Sequence, residues 1–198
     1  TYFAENVDPT RTRLNVEYCY TPIEEAYHQL FDAALSEFNA KQKRKDRCIE
    51  NYYEKIRDGK QEKPFYEVIF QVGNKDDMGT VGENAELAKT ILDKFYRSFL
   101  ERNPHLRVYS AHLHMDEATP HLHVDYIPVA TEQTRGLSTS LQSSSAPGQA
   151  IRPRSAIASS LAKKSRGPRF CSAITGTPYF HLVLSIPQGR GVPQCPIY

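Results

Sequence analysis

The stretch His112-Leu-His-Met-Asp-Glu-Ala-Thr-Pro-His-Leu-His-Val-Asp125 gathers four of the chain's seven histidines and three carboxylates into fourteen residues. On a β-strand, side chains at i and i+2 share a face, about 6–7 Å apart. His112 and His114 would therefore share one face of a first strand, and His121, His123 and Asp125 one face of a second. Met115 to Pro120 is polar and turn-like enough to fold the second strand back on the first, which would bring His114, His121 and His123 together. Three neutral imidazoles on one point give a metal ion a partial ligand set and leave positions open. An ordinary hairpin with surface histidines is the plain alternative; four histidines in this pattern favour the metal. The chain has no His-Glu-x-x-His, which argues against a zinc peptidase, and no Cys-x-x-Cys, which argues against a structural zinc.

The flanking sequence must supply strands to carry these side chains and helices to back them. Asp8-Pro9 is a turn signal. Leu14 to Tyr20 reads as a half-buried strand, with Leu14, Val16, Tyr18 and Tyr20 on one face and Asn15, Glu17 and Cys19 on the other. Thr21-Pro-Ile-Glu24 has the form of a capping box with proline at the first helical position. It predicts a helix to about residue 46, with Ile23, Ala26, Tyr27, Leu30, Ala34, Leu35 and Phe38 as a buried stripe. Lys41 to Arg47 is then a solvated, basic helix end, favoured over a phosphate contact. A second helical segment runs from Cys48 to Arg57 and stops at Asp58-Gly59.

Phe65 to Val72 is rich in aromatic and β-branched residues and reads as a strand. Gly73 to Gly82 is a glycine-containing loop too irregular for a phosphate-binding fingerprint. Glu83 to Arg102 is an amphipathic helix with Leu87, Ile91, Phe95 and Phe99 stepping by four, ended by Asn103-Pro104. Leu106 to Met115 and His121 to Val129 form the histidine hairpin, apolar or mixed on its opposite face. The order strand, helices, strand, helix, strand, strand predicts an α+β fold: an antiparallel sheet with helices packed on one face and the histidines on the open face.

A chain of 198 residues allows one domain and an appendage. No apolar run is long enough to span a membrane and no secretory leader opens the chain, so a cytoplasmic location is expected. Cys19, Cys48, Cys171 and Cys195 lack metal-type spacing and read as reduced thiols. The net charge of +2 hides an asymmetry: residues 1–132 carry 17 Lys+Arg against 23 Asp+Glu, a balance of −6, and residues 133–198 carry 8 Lys+Arg and no acid. Nucleic-acid binding would therefore need local basic patches in the folded part. The boundary is placed at 137. Residues 138–198 form a basic Ser-, Pro- and Gly-rich tail, disordered or out of frame, in which only Phe180 to Ile186 looks like a strand.

His114-Met-Asp-Glu-Ala-Thr-Pro-His-Leu-His123 resembles the third motif of the Mob/Pre family, the plasmid mobilisation relaxases also called plasmid recombination enzymes. His121-Leu122-His123 is the His-hydrophobic-His signature of the wider endonuclease superfamily. Asn6-Val-Asp-Pro-Thr-Arg-Thr-Arg-Leu-Asn15 resembles a further family segment, with Val16 where relatives often carry an aromatic residue. The resemblance covers residues from about 6 to 137. It implies a palm-like antiparallel sheet and a Mn2+ or Mg2+ ion held by His114, His121 and His123. It gives Glu117 the role of the acid that assists proton transfer or orients the nucleophile, sets Asp116 behind the ligands, and makes Arg11 and Asn15 DNA contacts.

The implied substrate is single-stranded or hairpin DNA at a plasmid origin of transfer. One strand is nicked and rejoined through a covalent 5′-phosphate intermediate, in a full-length protein that could dimerise. The family's nucleophile is a histidine in a motif preceding the Asp-Pro segment. Here the sequence begins at Thr1 and no histidine precedes His28, so a fragment without that motif is expected, with Tyr2 as the substitute candidate. Two other functions remain in view: a rolling-circle replication initiator using the same chemistry, and a non-catalytic, metal-stabilised DNA-binding remnant.

Overall fold

The computed structural model describes residues 7–59 and 61–142, and the backbone of 179–184. The strands are β1 (Val16–Tyr20), β2 (Tyr66–Val72), β3 (Leu106–His114), β4 (His121–Ala130), β5 (Ser140–Leu141) and β6 (Tyr179–Leu184). The helices are α1 (Ile23–Ala40), α2 (Tyr52–Asp58), α3 (Lys75–Met78) and α4 (Ala85–Arg102). The sheet order is β1-β3-β4-β2-β6, with β5 paired to the end of β4. Strands β1 to β4 are mutually antiparallel, and β6 adds in parallel to β2. This is the expected α+β architecture with the histidine hairpin at its centre, but helices pack on both faces of the sheet and not on one, because Ile127 and Val129 continue the histidine face as apolar residues that need cover.

The alternation in β4 explains how the layers form. Leu122, Val124 and Tyr126 face a core completed by Val68, Phe70 and Val72 of β2, Leu113 of β3, and Ala88, Leu92, Phe95, Tyr96 and Phe99 of α4. Burying each large apolar side chain contributes roughly 1.5–3 kcal/mol. His121, His123 and Asp125 point the other way. Further along that same face, Ile127 and Val129 enter a second core with Ala26, Tyr27, Phe31, Ala34 and Leu35 of α1 and Tyr52 and Ile56 of α2. Helix α4 thus backs the histidines, while α1 and α2 cover the far end of the histidine face and leave its near end open.

Several local expectations change. The predicted capping box at Thr21 does not form: the Thr21 N–H donates to Tyr109 O, extending the β1–β3 pairing, and α1 starts from Pro22 without a side-chain cap. The predicted helix to residue 46 ends at Ala40, because the Asn39 amide turns away and holds Ile49, donating to its O at 2.8 Å and accepting from its N–H at 2.9 Å. Lys45–Arg47 is a single 3-10 turn in which Arg44 pairs with Asp46. Helix α2 starts at Tyr52, not Cys48, since the Asn51 side chain caps it by accepting from the Glu54 N–H at 3.1 Å.

The predicted loop Gly73 to Gly82 contains α3, fixed by a capping box between Asn74 and Asp77. Gly73 turns into it at φ +63, where a side chain would meet Asp77 and Met78. In α4, Leu87 is 48% exposed. Steps of four advance the row about 40° each time, so its first member leaves the buried stripe. A bulge between Glu17 and Cys19 breaks the alternation predicted for β1. Cys19 joins Tyr18 against α4, its Sγ 3.5 Å from the Tyr96 hydroxyl, and Tyr20 turns out beside His112.

Leu137 and Leu141 are buried in the second core, so packing continues past residue 137. The strand expected near Phe180 is β6. The rest of the expectation for 138–198 falls on 143–178 and 185–198, outside the described residues. Cys19 and Cys48 are free thiols. No helix among the described residues is long and apolar enough to cross a membrane.

Candidate metal centre

The hairpin register places the imidazoles. His114 is opposite His121, His112 opposite His123, and Ser110 opposite Asp125. His114, His121 and His123 come together, with ring centroids 5.3, 5.2 and 5.1 Å apart. His112 stays on the same face but turns away, its Nδ1 3.8 Å from Glu17 Oε2.

Each of the three converging rings has an oxygen beside its Nδ1. His121 Nδ1 donates to Thr119 O at 2.8 Å, and His123 Nδ1 donates to Glu67 Oε1. His114 Nδ1 lies 3.6 Å from Asp116 Oδ1. An imidazole whose Nδ1–H is taken by an oxygen presents the Nε2 lone pair to a ligand, and metal-binding histidines are commonly fixed this way. With a metal–nitrogen bond of about 2.1 Å and ligands about 90–110° apart, ring centres would be about 4.6–5.3 Å from one another. The observed spacing falls in that range. The donor atoms have not closed to ligand distance: among the described residues no three His, Cys, Asp or Glu side chains form a ready metal group. His114 is the loosest of the three, its Nδ1 lacking a hydrogen bond to the oxygen beside it, and its ring is stacked 17° from parallel to His121. Reorientation of His114 is therefore the adjustment a metal would require.

Glu117 sits at the rim, 31% exposed, with Oε1 4.0 Å from His121 Nε2. Its backbone is fixed: Thr80 Oγ1 donates to Glu117 O, and Thr80 N–H donates to Ala118 O at 3.2 Å. Arg11 in turn donates from Nη2 to Thr80 O. Asn15 is also committed within the fold. Its Nδ2 donates to Asp116 Oδ2 at 2.7 Å, and its Oδ1 accepts the Met115 N–H at 2.7 Å. Thr12 Oγ1 donates to the same Asp116 oxygen at 2.9 Å, and the Asp8 N–H donates to Asp116 O at 2.7 Å. The segment expected to contact DNA thus wraps the loop that carries Asp116 and Glu117.

The site is rich in carboxylate. Glu17, Glu67, Asp116 and Glu117 each stand within 4.0 Å of an imidazole nitrogen. No Lys or Arg pairs with these four among the described residues. Burial, then the neighbouring His121 and His123, hold His114 below the ordinary imidazole value, which favours its neutral, ligating form. Burial pushes the Asp116 carboxyl up, but hydrogen bonds from Asn15 and Thr12 outweigh it and hold the group below the usual carboxylate range. Burial raises Asp125, Glu67 opposite it in the β2–β4 register adds to this, and a hydrogen bond from Ser110 opposes it.

Sequence reasoning missed Glu67 and Thr80. The signal for Glu67 was a lone acid inside a mainly apolar strand. Thr80 gave none, because its role depends on where the loop after α3 lands. Tyr2 lies outside the described residues.

No curated protein and no solved structure matches this chain. A profile of the family described as plasmid recombination enzyme matches residues 2–168, a longer span than the residues from about 6 to 137 that carry the resemblance. The match covers most of the sequence and includes the whole histidine hairpin, and the chain belongs to the plasmid recombination enzyme (Mob/Pre) family.

Proposed function

We propose that this domain binds a divalent cation, Mn2+ or Mg2+, through His114, His121 and His123, binds plasmid origin DNA, and, when complete with its nucleophile, nicks and rejoins one strand of it. The observation that carries this reading is the pairing of three converging imidazoles with a carboxylate-rich surround. A phosphodiester brought to that surround meets repulsion unless a cation intervenes. When bound, such an ion neutralises charge on the scissile phosphate and positions it.

The protein's own groups supply the rest. The open end of the histidine face admits a single strand or an extruded hairpin, and Tyr20, 62% exposed beside His112, offers a ring for base stacking. Glu117 stands where it can take the proton of an attacking group or hold that group in line. In the reaction, the nucleophile's bond to phosphorus replaces the bond to the 3′ oxygen, which leaves as a 3′-hydroxyl. The proton taken by the carboxylate is available to that leaving oxygen. The phosphoester stored on the protein makes religation the simple reversal, so no external energy source is needed. The family match favours mobilisation or recombination over replication initiation.

The test is nicking of a supercoiled plasmid carrying a mobilisation origin, with Mn2+, followed by denaturing gels for a protein–DNA adduct. Any nicking and adduct are expected to disappear in His123→Ala and Glu117→Ala. Metal and origin binding without nicking or adduct would mean that the described domain is a metal-stabilised DNA-binding module.

A further inference from the structure

We propose that Thr12 and Asn15 are positioning residues for His114, acting through Asp116, so that the segment before β1 sets the geometry of the candidate metal centre. The proposal rests on reading His114, His121 and His123 as ligands.

His121 and His123 have hydrogen-bonded Nδ1 partners that come with their own strands: Thr119 O lies two residues before His121, and Glu67 is on the strand beside His123. The oxygen beside His114 belongs to Asp116, in the loop after β3, where the strand no longer fixes the chain. A carboxylate two residues past a strand end is free to rotate unless something outside the hairpin holds it. Thr12 and Asn15, more than 100 residues earlier in sequence, both donate to its Oδ2. Asn15 also takes the Met115 N–H, so one carboxamide fixes the backbone where the loop begins and the carboxylate that follows.

The consequence is seen on the other oxygen. The Asp116 side chain is 5% exposed, and its Oδ1 is buried without a hydrogen-bond partner among the described residues. A buried carboxylate oxygen left unpaired is costly to the fold, because it loses its water without gaining a donor. That oxygen faces His114 Nδ1 at 3.6 Å, too far for a hydrogen bond. A shift of under about 1 Å would make the bond. The bond would fix the His114 proton on Nδ1 and turn Nε2 toward the other two rings. Asp116 held by Thr12 and Asn15 is thus a preset acceptor waiting for His114 to reorient.

The test uses the full chain and two readouts. Long-range 15N imidazole spectra of the Mg2+-saturated protein report which nitrogen of His114 carries the proton, and Mn2+ titration followed by electron paramagnetic resonance reports affinity. Thr12→Val removes the hydroxyl at nearly constant shape, Thr12→Ser keeps it, and Asn15→Asp keeps the acceptor for Met115 while removing the donor to Asp116. In Thr12→Val and Asn15→Asp, His114 is expected to lose its Nδ1–H preference and Mn2+ affinity to fall about tenfold or more. His121 and His123 spectra should be unchanged, and Thr12→Ser should match the wild type. Wild-type affinity and an unchanged His114 spectrum in both disruptive variants would overturn the positioning role, as would a loss of DNA binding alone in Asn15→Asp. Absence of Mn2+ binding by the wild type would instead overturn the metal reading on which the proposal stands.

Discussion

Glu67 accepts a hydrogen bond from Nδ1 of His123, joining residues 56 apart in sequence on neighbouring strands of one sheet. The bond fixes the tautomer: with the proton held on Nδ1, Nε2 is left as the acceptor, on a ring whose centroid is 5.2 Å from that of His114 and 5.1 Å from that of His121. Direct cross-strand pairing would set Glu67 against Asp125 and His123 against Ile69. The contact is therefore a diagonal one along the sheet, within reach of a long side chain. It places a carboxylate behind a histidine in the arrangement that raises ligand basicity at metal sites.

Replacing Glu67 by leucine keeps the bulk and removes the acceptor. Mn2+ affinity is expected to fall about 10–100-fold. The fold should survive, because the Glu67 side chain lies on the polar histidine face and not in the core behind it. Electron paramagnetic resonance of free Mn2+ against protein concentration measures the change. An affinity equal to wild type would mean that strand packing alone orients His123.

Glu117→Gln separates a proton-handling role from a ligand role. The carboxamide keeps the size and the backbone contacts through Thr80 but cannot take a proton at neutral pH. Nicking of origin plasmid is expected to drop by about 10²–10⁴ with Mn2+ binding retained. Loss of Mn2+ binding in the same variant would make Glu117 a fourth ligand, and the proton-handling assignment would fail.

The histidine hairpin was legible in the sequence because strand alternation is strictly local: His112, His114, His121 and His123 need only their own spacing to share a face. The same holds for the buried stripe of α4 apart from Leu87 at its start. What the sequence hid were the contacts that close over distance. Asn15 was named only as a DNA contact implied by the family resemblance, and nothing local showed that its carboxamide reaches Asp116 and Met115, because β1 pairs with β3 and brings the segment before it against the hairpin loop. The bulge in β1 was equally hidden, since an extra residue in one strand is defined only by its partner's register. Helix ends misled for a related reason: Asn39 and Asn51 spend their side chains on backbone groups, and propensity alone does not say which asparagine will do so.

The buried tyrosines predict a steep alkaline limit. Burial, with Asp93 nearby, pushes Tyr18 up to about 12 from an ordinary 10.0, and burial, with Tyr66, does the same to Tyr126. Burial also raises Tyr27, Tyr96 and Tyr109. A raised phenol favours the fold fully while both states are neutral, below about pH 10. Above that the unfolded chain ionises first, so stability is lost as pH rises through the folded values. Thermal melts should hold up to about pH 10 and then fall steeply toward pH 12. The tyrosinate absorbance of these five phenols, taken as the part lost in the corresponding Tyr→Phe variants, should rise with unfolding, not ahead of it; its gradual rise in the folded chain near pH 10 would show that these phenols are not held by burial.

The core behind the histidines supports them without touching them, and Phe70→Ala tests that division. Phe70 is 1% exposed, its ring centroid is 4.5 Å from Phe95 and 5.4 Å from Phe99 of α4, and its register partner is Leu122, the residue between His121 and His123. Truncation to alanine leaves a cavity that these aromatic neighbours cannot fill by small shifts, at a cost of about 3–5 kcal/mol. Urea unfolding should show a lower midpoint with the slope unchanged, as expected for a cavity that leaves the unfolded chain alone. Below the transition the β3–β4 pairing persists, and it still sets His114 against His121 and His112 against His123. Mn2+ affinity in the folded variant should therefore fall less than in Glu67→Leu, although Glu67→Leu is the milder change to stability. If the order of the two affinities were reversed, packing behind the strand, and not the hydrogen bond in its plane, would be what holds the imidazoles in place.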